Sequence, residues 1–171
     1  MSIKLTLSFL IAFLLFGCIQ DNSELTKEKL TESEDQLTIG LQKYEEGSIA
    51  FNNEKFFEAR QRFSEAKTYF TTANTKFSEA CSLSPEVCSE NVTKSIDSCL
   101  LPLVDLSMGL TYLSDDVKSQ CTDTCPGSVR SKCIDLLATA KNADTSCKQA
   151  SSFDPKTADS VQEICKSVFP G

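Results

Sequence analysis

The residues with the most chemical potential are nine cysteines: Cys18, Cys81, Cys88, Cys99, Cys121, Cys125, Cys133, Cys147 and Cys165. A thiolate can attack an electrophile, hold a soft metal or close a disulfide. The chain has no His, and no two cysteines stand as Cys-x-x-Cys. That removes Ser-His and Cys-His catalysis and argues against a zinc site, so no metal is expected. With Cys18 set apart, eight remain, an even number, all beyond residue 80. In an exported chain the default reading is four disulfides. Cys81 and Cys88 flank Ser84-Pro85 and should staple that turn. Cys121 and Cys133 flank Pro126-Gly127 in the same way. Cys99 and Cys147 would face each other across a helical seam, which leaves Cys125 for Cys165. The main rival pairing is Cys147 with Cys165. Thiol–disulfide exchange through Cys121 or Cys125 is the catalytic alternative, although the nearby charges (Lys118, Asp123 and Arg130) do not favour a thiolate clearly.

Other candidate chemistry is sparse. Glu45-Glu46 and Ser114-Asp115-Asp116 could act as acid and base or hold a cation. On helix turns they read instead as solvated surface or caps. The sequence contains no glycine-rich phosphate loop and no nucleophile elbow. Asn91-Val92-Thr93 is an N-glycosylation sequon, which makes Asn91 a possible acceptor. Lys and Arg total 17 against 24 Asp and Glu, for a net charge of −7 over 171 residues. Nucleic-acid binding needs clustered basic residues, so none is expected. The chain reads as a non-enzyme without a cofactor.

The amino terminus reads as a targeting segment. Lys4 precedes an apolar run from Leu5 to Phe16, which ends at Gly17-Cys18. The run is shorter than the ~20 residues that span a bilayer and has the layout of a secretory signal. Leu15-Phe16-Gly17-Cys18 resembles the lipobox of prokaryotic lipoproteins. Leu15 and Gly17 match that pattern, while Phe16 departs from it, since a smaller residue is usual there. The resemblance covers residues 1–18. It implies cleavage before Cys18, a diacylglyceryl group on its sulfur, and attachment to the membrane at the extracytoplasmic face. Two acyl chains at ~0.8 kcal/mol per buried CH2 anchor stably where one does not. The competing readings are an uncleaved anchor and a soluble secreted form.

From residue 18 onward no segment alternates apolar and polar residues; spacings of three and four recur instead. The expected fold is all-α, with helices near 24–52, 55–82, 85–118, 128–152 and 155–168. Ser84-Pro85 and Asp154-Pro155 each resemble an N-cap followed by Pro at the first helical position. Pro102 falls inside the third helix and should produce a kink or local break.

The first two helices carry a seven-residue repeat. Phe56, Phe63, Phe70 and Phe77 recur in one, each followed three residues later by Ala59, Ala66, Ala73 or Ala80. Leu30, Leu37, Tyr44 and Phe51 recur in the other, with Ser33, Gly40 and Gly47 between them. A fold at Asn52-Asn53-Glu54 opposes residues whose numbers sum to 110. Gly47 then meets Phe63, Gly40 meets Phe70, Tyr44 meets Ala66 and Ser33 meets Phe77. Each layer pairs a large with a small residue, which fills space and lets the helices approach closely. Gly47, Phe56, Ala59, Phe63 and Ala66 resemble the packing residues of one tetratricopeptide-repeat helix pair, over residues 40–73. Arrays of such pairs bind peptides. Here both helices overrun the repeat length and no second copy follows, so the resemblance implies shared hairpin packing rather than an array.

A second seam follows. Val92, Ile96, Cys99, Leu103, Leu106, Leu110, Leu113 and Val117 step by four and three, as do Val129, Cys133, Leu136, Ala140, Ala143, Cys147 and Ala150. A sum near 246 sets Leu106 on Ala140, Leu103 on Ala143 and Cys99 on Cys147. Phe57, Tyr69 and Tyr112 lie off these seams and are expected to close the core between the two halves, or alternatively to line a groove.

The resulting architecture is a signal at 1–17, a short linker at 18–23, an antiparallel hairpin at 24–82, and a disulfide-stapled helical unit at 85–171 packed on it. The expected function is a lipid-anchored binding or scaffolding module of the cell envelope, with a protein or an envelope polymer as partner. A small-ligand carrier with a pocket between hairpins is the alternative.

Overall fold

The computed structural model describes residues 24–122, 124–151 and 155–169, with the side chains of Asn91 and Ser151 excepted. The signal, the lipobox-like junction and Cys18 lie outside the described residues. So does Asp154. Every regular element among the described residues is helical.

Helices α1 (Glu24–Asn52) and α2 (Phe56–Leu83) form the expected antiparallel hairpin. The chain reverses through a Schellman turn. Glu54 adopts a left-handed conformation with φ 59°. Its N–H donates to the Phe51 carbonyl at 2.9 Å, and the Lys55 N–H donates to the Ala50 carbonyl at 3.0 Å. The rings of Phe51 and Phe56 meet across this turn, with centroids 5.8 Å apart.

The opposed residues are those the repeat predicts. Gly40 packs on the Phe70 ring and Gly47 on the Phe63 ring. Ala59, Ala66, Ala73 and Ala80 are fully buried. Ser33 does more than supply a small side chain, because its hydroxyl donates to the Ala73 carbonyl at 2.8 Å. One edge of the seam is fenced by charge. Lys29 pairs with Glu79 at 3.5 Å, Glu32 with Lys76 at 3.0 Å, Lys43 with Glu65 at 3.6 Å, and Glu46 with Arg62 at 3.4 Å. These rungs alternate in polarity, and pairs three residues apart link them along each helix. A one-turn slip of either helix would place like charges together, so the fence reinforces the register set by the glycines.

The third expected helix begins later than its sequence suggests. Ser84-Pro85 opens only a 3-10 turn, Pro85–Val87, and the Ser84 hydroxyl caps nothing. The α-helix starts at Glu90. Helix α3 (Glu90–Ser95), a π-turn (Ile96–Leu100) and helix α4 (Leu101–Gln120) then run on as one rod. The irregularity expected at Pro102 is this π-turn. The Leu101 N–H reaches back five residues to the Ile96 carbonyl, and Pro102 begins a fresh α-helix at a position where its missing N–H costs little.

The rod is central. Ile96, Leu100 and Val104 close the hairpin's core with Leu37, Leu41 and Tyr44. Its other side, through Leu106, Leu110 and Leu113, packs on helices α5 (Gly127–Ser151) and α6 (Thr157–Lys166). Residues 92–120 are long and apolar enough to cross a membrane by composition, but burial on both flanks accounts for that character. Gly109 lies against Leu136, a further small-on-large contact between rod and α5.

Phe57, expected in the core, is 77% exposed, and Tyr112 is 57% exposed. The hairpin and rod are already sealed by Leu41, Tyr44 and Val104, which leaves Phe57 and Tyr112 at the rim.

Candidate functional site

Among the described residues, three cysteine pairs stand at disulfide distance. Cys99 joins Cys147, as the seam predicts, and ties the π-turn to the end of α5. The pairings expected for the other four are corrected. Cys121 joins Cys125, and Cys133 joins Cys165, rather than Cys121 with Cys133 and Cys125 with Cys165. The rival Cys147–Cys165 pairing is likewise not formed. The cause is the placement of α6. It folds back on α5, so that Val161, Cys165 and Val168 enter the buried cluster holding Val129 and Cys133. Cys133 already points into that core from the second turn of α5. The loop after Gln120 then closes on itself, which brings Cys125 to Cys121.

The docking of α6 depends on a residue that the sequence pattern did not mark. Lys156, before the first turn, has a left-handed φ of 51° and offers no side-chain cap. Asp144 of α5 does so from a distance. Its carboxylate accepts from the Thr157 N–H at 3.0 Å, from the Ala158 N–H at 2.9 Å, and from the Thr157 hydroxyl. These are the donors a helix start leaves unpaired, and a negative charge also suits the positive end of the helix dipole. The expected cap and start at Asp154-Pro155 give way to a start at Thr157. In sequence, only the position of Asp144 one turn before Cys147 on the buried side of α5 hinted at such a contact.

Cys81 and Cys88, the expected turn staple, are present as two thiols. They line one open cavity of about 390 Å³ at the α2–α3 turn, with Ser78, Ser89, Glu90, Thr93 and Lys94. Partial burial, together with the neighbouring Cys88 thiol, pushes the Cys81 thiol up to about 12. Asn91 belongs to α3, and its side chain lies outside the described residues.

Three of the four carboxylates in the acidic clusters are engaged in ion pairs. Glu46 contacts Lys43 and Arg62, and its carboxyl is held below the usual range, chiefly by the Lys43 hydrogen bond. Asp115 contacts Arg60 at 3.3 Å, and Asp116 contacts Lys132. Among the described residues no group of three or more His, Cys, Asp or Glu is placed to hold a metal ion.

Two of the three off-seam aromatics, Phe57 and Tyr112, are exposed. The Arg60 guanidinium lies 4.6 Å from the Tyr112 ring centroid, over its face. Phe57 stands one turn before Arg60 on the same helix. Tyr69, by contrast, is half-buried, with its Cβ beside Gly40. Comparison of the chain with protein-family models, with curated proteins and with solved structures finds no match to any of them.

Proposed function

We propose that the chain is a lipid-anchored, extracytoplasmic binding or scaffolding module that engages its partner through a helical face and performs no catalysis. The lipobox-like Leu15-Phe16-Gly17-Cys18 junction supports the anchor. The bridged pairs Cys99–Cys147, Cys121–Cys125 and Cys133–Cys165 support an oxidising compartment, because such bonds persist outside the reducing cytosol.

The observation that carries the binding reading is the rim of Phe57, Arg60 and Tyr112. Aromatic and arginine side chains are enriched where proteins meet, and Phe57 spends a large apolar surface on solvent. The hairpin's resemblance to a tetratricopeptide-repeat pair points the same way. The space between hairpin and rod is filled by Leu41, Tyr44, Ile96 and Val104, which weighs against a carrier pocket there.

Affinity capture from membranes with the intact lipidated protein tests the reading. A specific partner should be retained by the native protein and lost from a Phe57→Ala, Tyr112→Ala variant of unchanged stability. Equal retention by both removes the rim from the account. Radiolabelled lipid failing to reach Cys18 removes the anchor.

A further inference from the structure

The six bridged cysteines and the two thiols occupy different surroundings. Cys99, Cys125, Cys133, Cys147 and Cys165 are buried and Cys121 is half-buried. Cys88 is exposed, and Cys81 stands half-buried behind it. Both face the same open cavity, whose wall also carries the Glu90–Lys94 ion pair. Their backbones differ as well. Cys81 is fixed in the last turn of α2. Cys88 lies in an extended stretch with φ −69° and ψ 104°, between a three-residue 3-10 turn and α3. It can therefore shift towards an incoming group and back without unwinding a helix.

We propose that Cys81 and Cys88 form a thiol–disulfide exchange site that takes a low-molecular-weight disulfide from solution, with Cys88 as the attacking sulfur and Cys81 as the resolving one. The Cys88 thiolate attacks one sulfur of the small disulfide. A Cys88–SR bond forms, the small S–S bond breaks, and one RS− leaves. Cys81 then attacks the Cys88 sulfur, losing its proton as it does so. The Cys81–Cys88 bond forms and a second RS− leaves. Two protein thiols are oxidised by two electrons, one small disulfide is reduced to two thiols, and the protein's two protons end on those thiols. The order follows from access, and the high pKa of Cys81 agrees with it, since a thiol kept protonated is a poor first nucleophile. Closing the bond would tie the end of α2 to the entry of the central rod.

The test is to equilibrate the full-length protein with graded ratios of reduced and oxidised glutathione. Acid quenching, a maleimide mass tag and peptide mapping then count the thiols. The expected result is that two labels disappear together, both at Cys81 and Cys88, while the six bridged cysteines stay unlabelled at ratios where this pair is open and Cys18 is scored separately by the peptide map. In oxidised glutathione, Cys81→Ser should accumulate one glutathione on Cys88, and Cys88→Ser should react more than about tenfold slower. The proposal is overturned if both labels persist at every ratio. It is equally overturned if the label at Cys81 or at Cys88 is lost without the other in the native protein, if Cys81 reacts first, or if the pair opens only together with the other bridges. The label count on the native chain does not depend on either variant folding.

Discussion

A methyl group placed on Gly40 would lie 2.6 Å from two ring carbons of Phe70, a side chain only 1% exposed. The ring has nowhere to go, because the hairpin's neighbouring layers enclose it. At Gly47 the Phe63 ring stands at 2.8 Å in the same relation. Ala in place of Gly normally gains about 0.5–1 kcal/mol within a helix, whereas overpacking a filled core costs about 1–3 kcal/mol. Gly40→Ala should therefore lower the Tm, Gly40→Leu should lower it further, and Phe70→Leu should rescue part of the loss. Thermal unfolding checks this, and a raised Tm for either glycine variant would reject the close approach.

The Tyr44 hydroxyl bridges hairpin and rod, lying 2.9 Å from the Ser107 hydroxyl. Ser107 gives its own proton to the Leu103 carbonyl at 2.8 Å, so Tyr44 is the donor. Burial raises the Tyr44 pKa above its ordinary 10.0. The unfolded chain thus releases this proton at a lower pH than the folded one does. Stability from this group is complete below pH ~10 and declines as pH rises beyond it. Urea unfolding from pH 8 to 11 should show that decline, and Tyr44→Phe should flatten it at a cost of about 1 kcal/mol near neutrality.

Removing the Asp144 carboxylate leaves the start of α6 without its remote cap. Asp144→Ala should cost about 1–2 kcal/mol, at the high end for a cap because two amides and a hydroxyl lose one partner. Asp144→Asn keeps one acceptor oxygen and should lose less. Hydrogen exchange locates the effect: amides at residues 157–160 should exchange faster while those of α1 and α2 keep their protection. Equal acceleration in the hairpin would contradict the assignment.

Glu54 holds a left-handed backbone that costs a residue with a Cβ and suits glycine. Its side chain reaches Lys118 on the rod, but both groups are well exposed. Glu54→Gly should therefore raise the Tm, and Glu54→Asn should raise it by less. Glu54→Val, with a branched Cβ, should lower it. A fall with glycine would mean that the Lys118 contact outweighs the backbone term.

Much of this architecture was legible without coordinates because it depends on residue size at a fixed period. Phe63 and Phe70 recur every seven residues opposite Gly47 and Gly40, and the fold at Asn52-Asn53-Glu54 selects, among registers seven residues apart, the one that places these two rings over the glycines. The same arithmetic brought Cys99 to Cys147. Tertiary structure decided what local periodicity does not encode. Cys133 found Cys165 because α6 turns back on α5, an orientation set by the Asp144 carboxylate and by burial of Val161 and Val168. Phe57 reached solvent because the central rod was already sealed on that side by other residues. Spacing within a helix constrains which side chains share its face. Which face meets which neighbour is settled only when every apolar surface competes for cover at once.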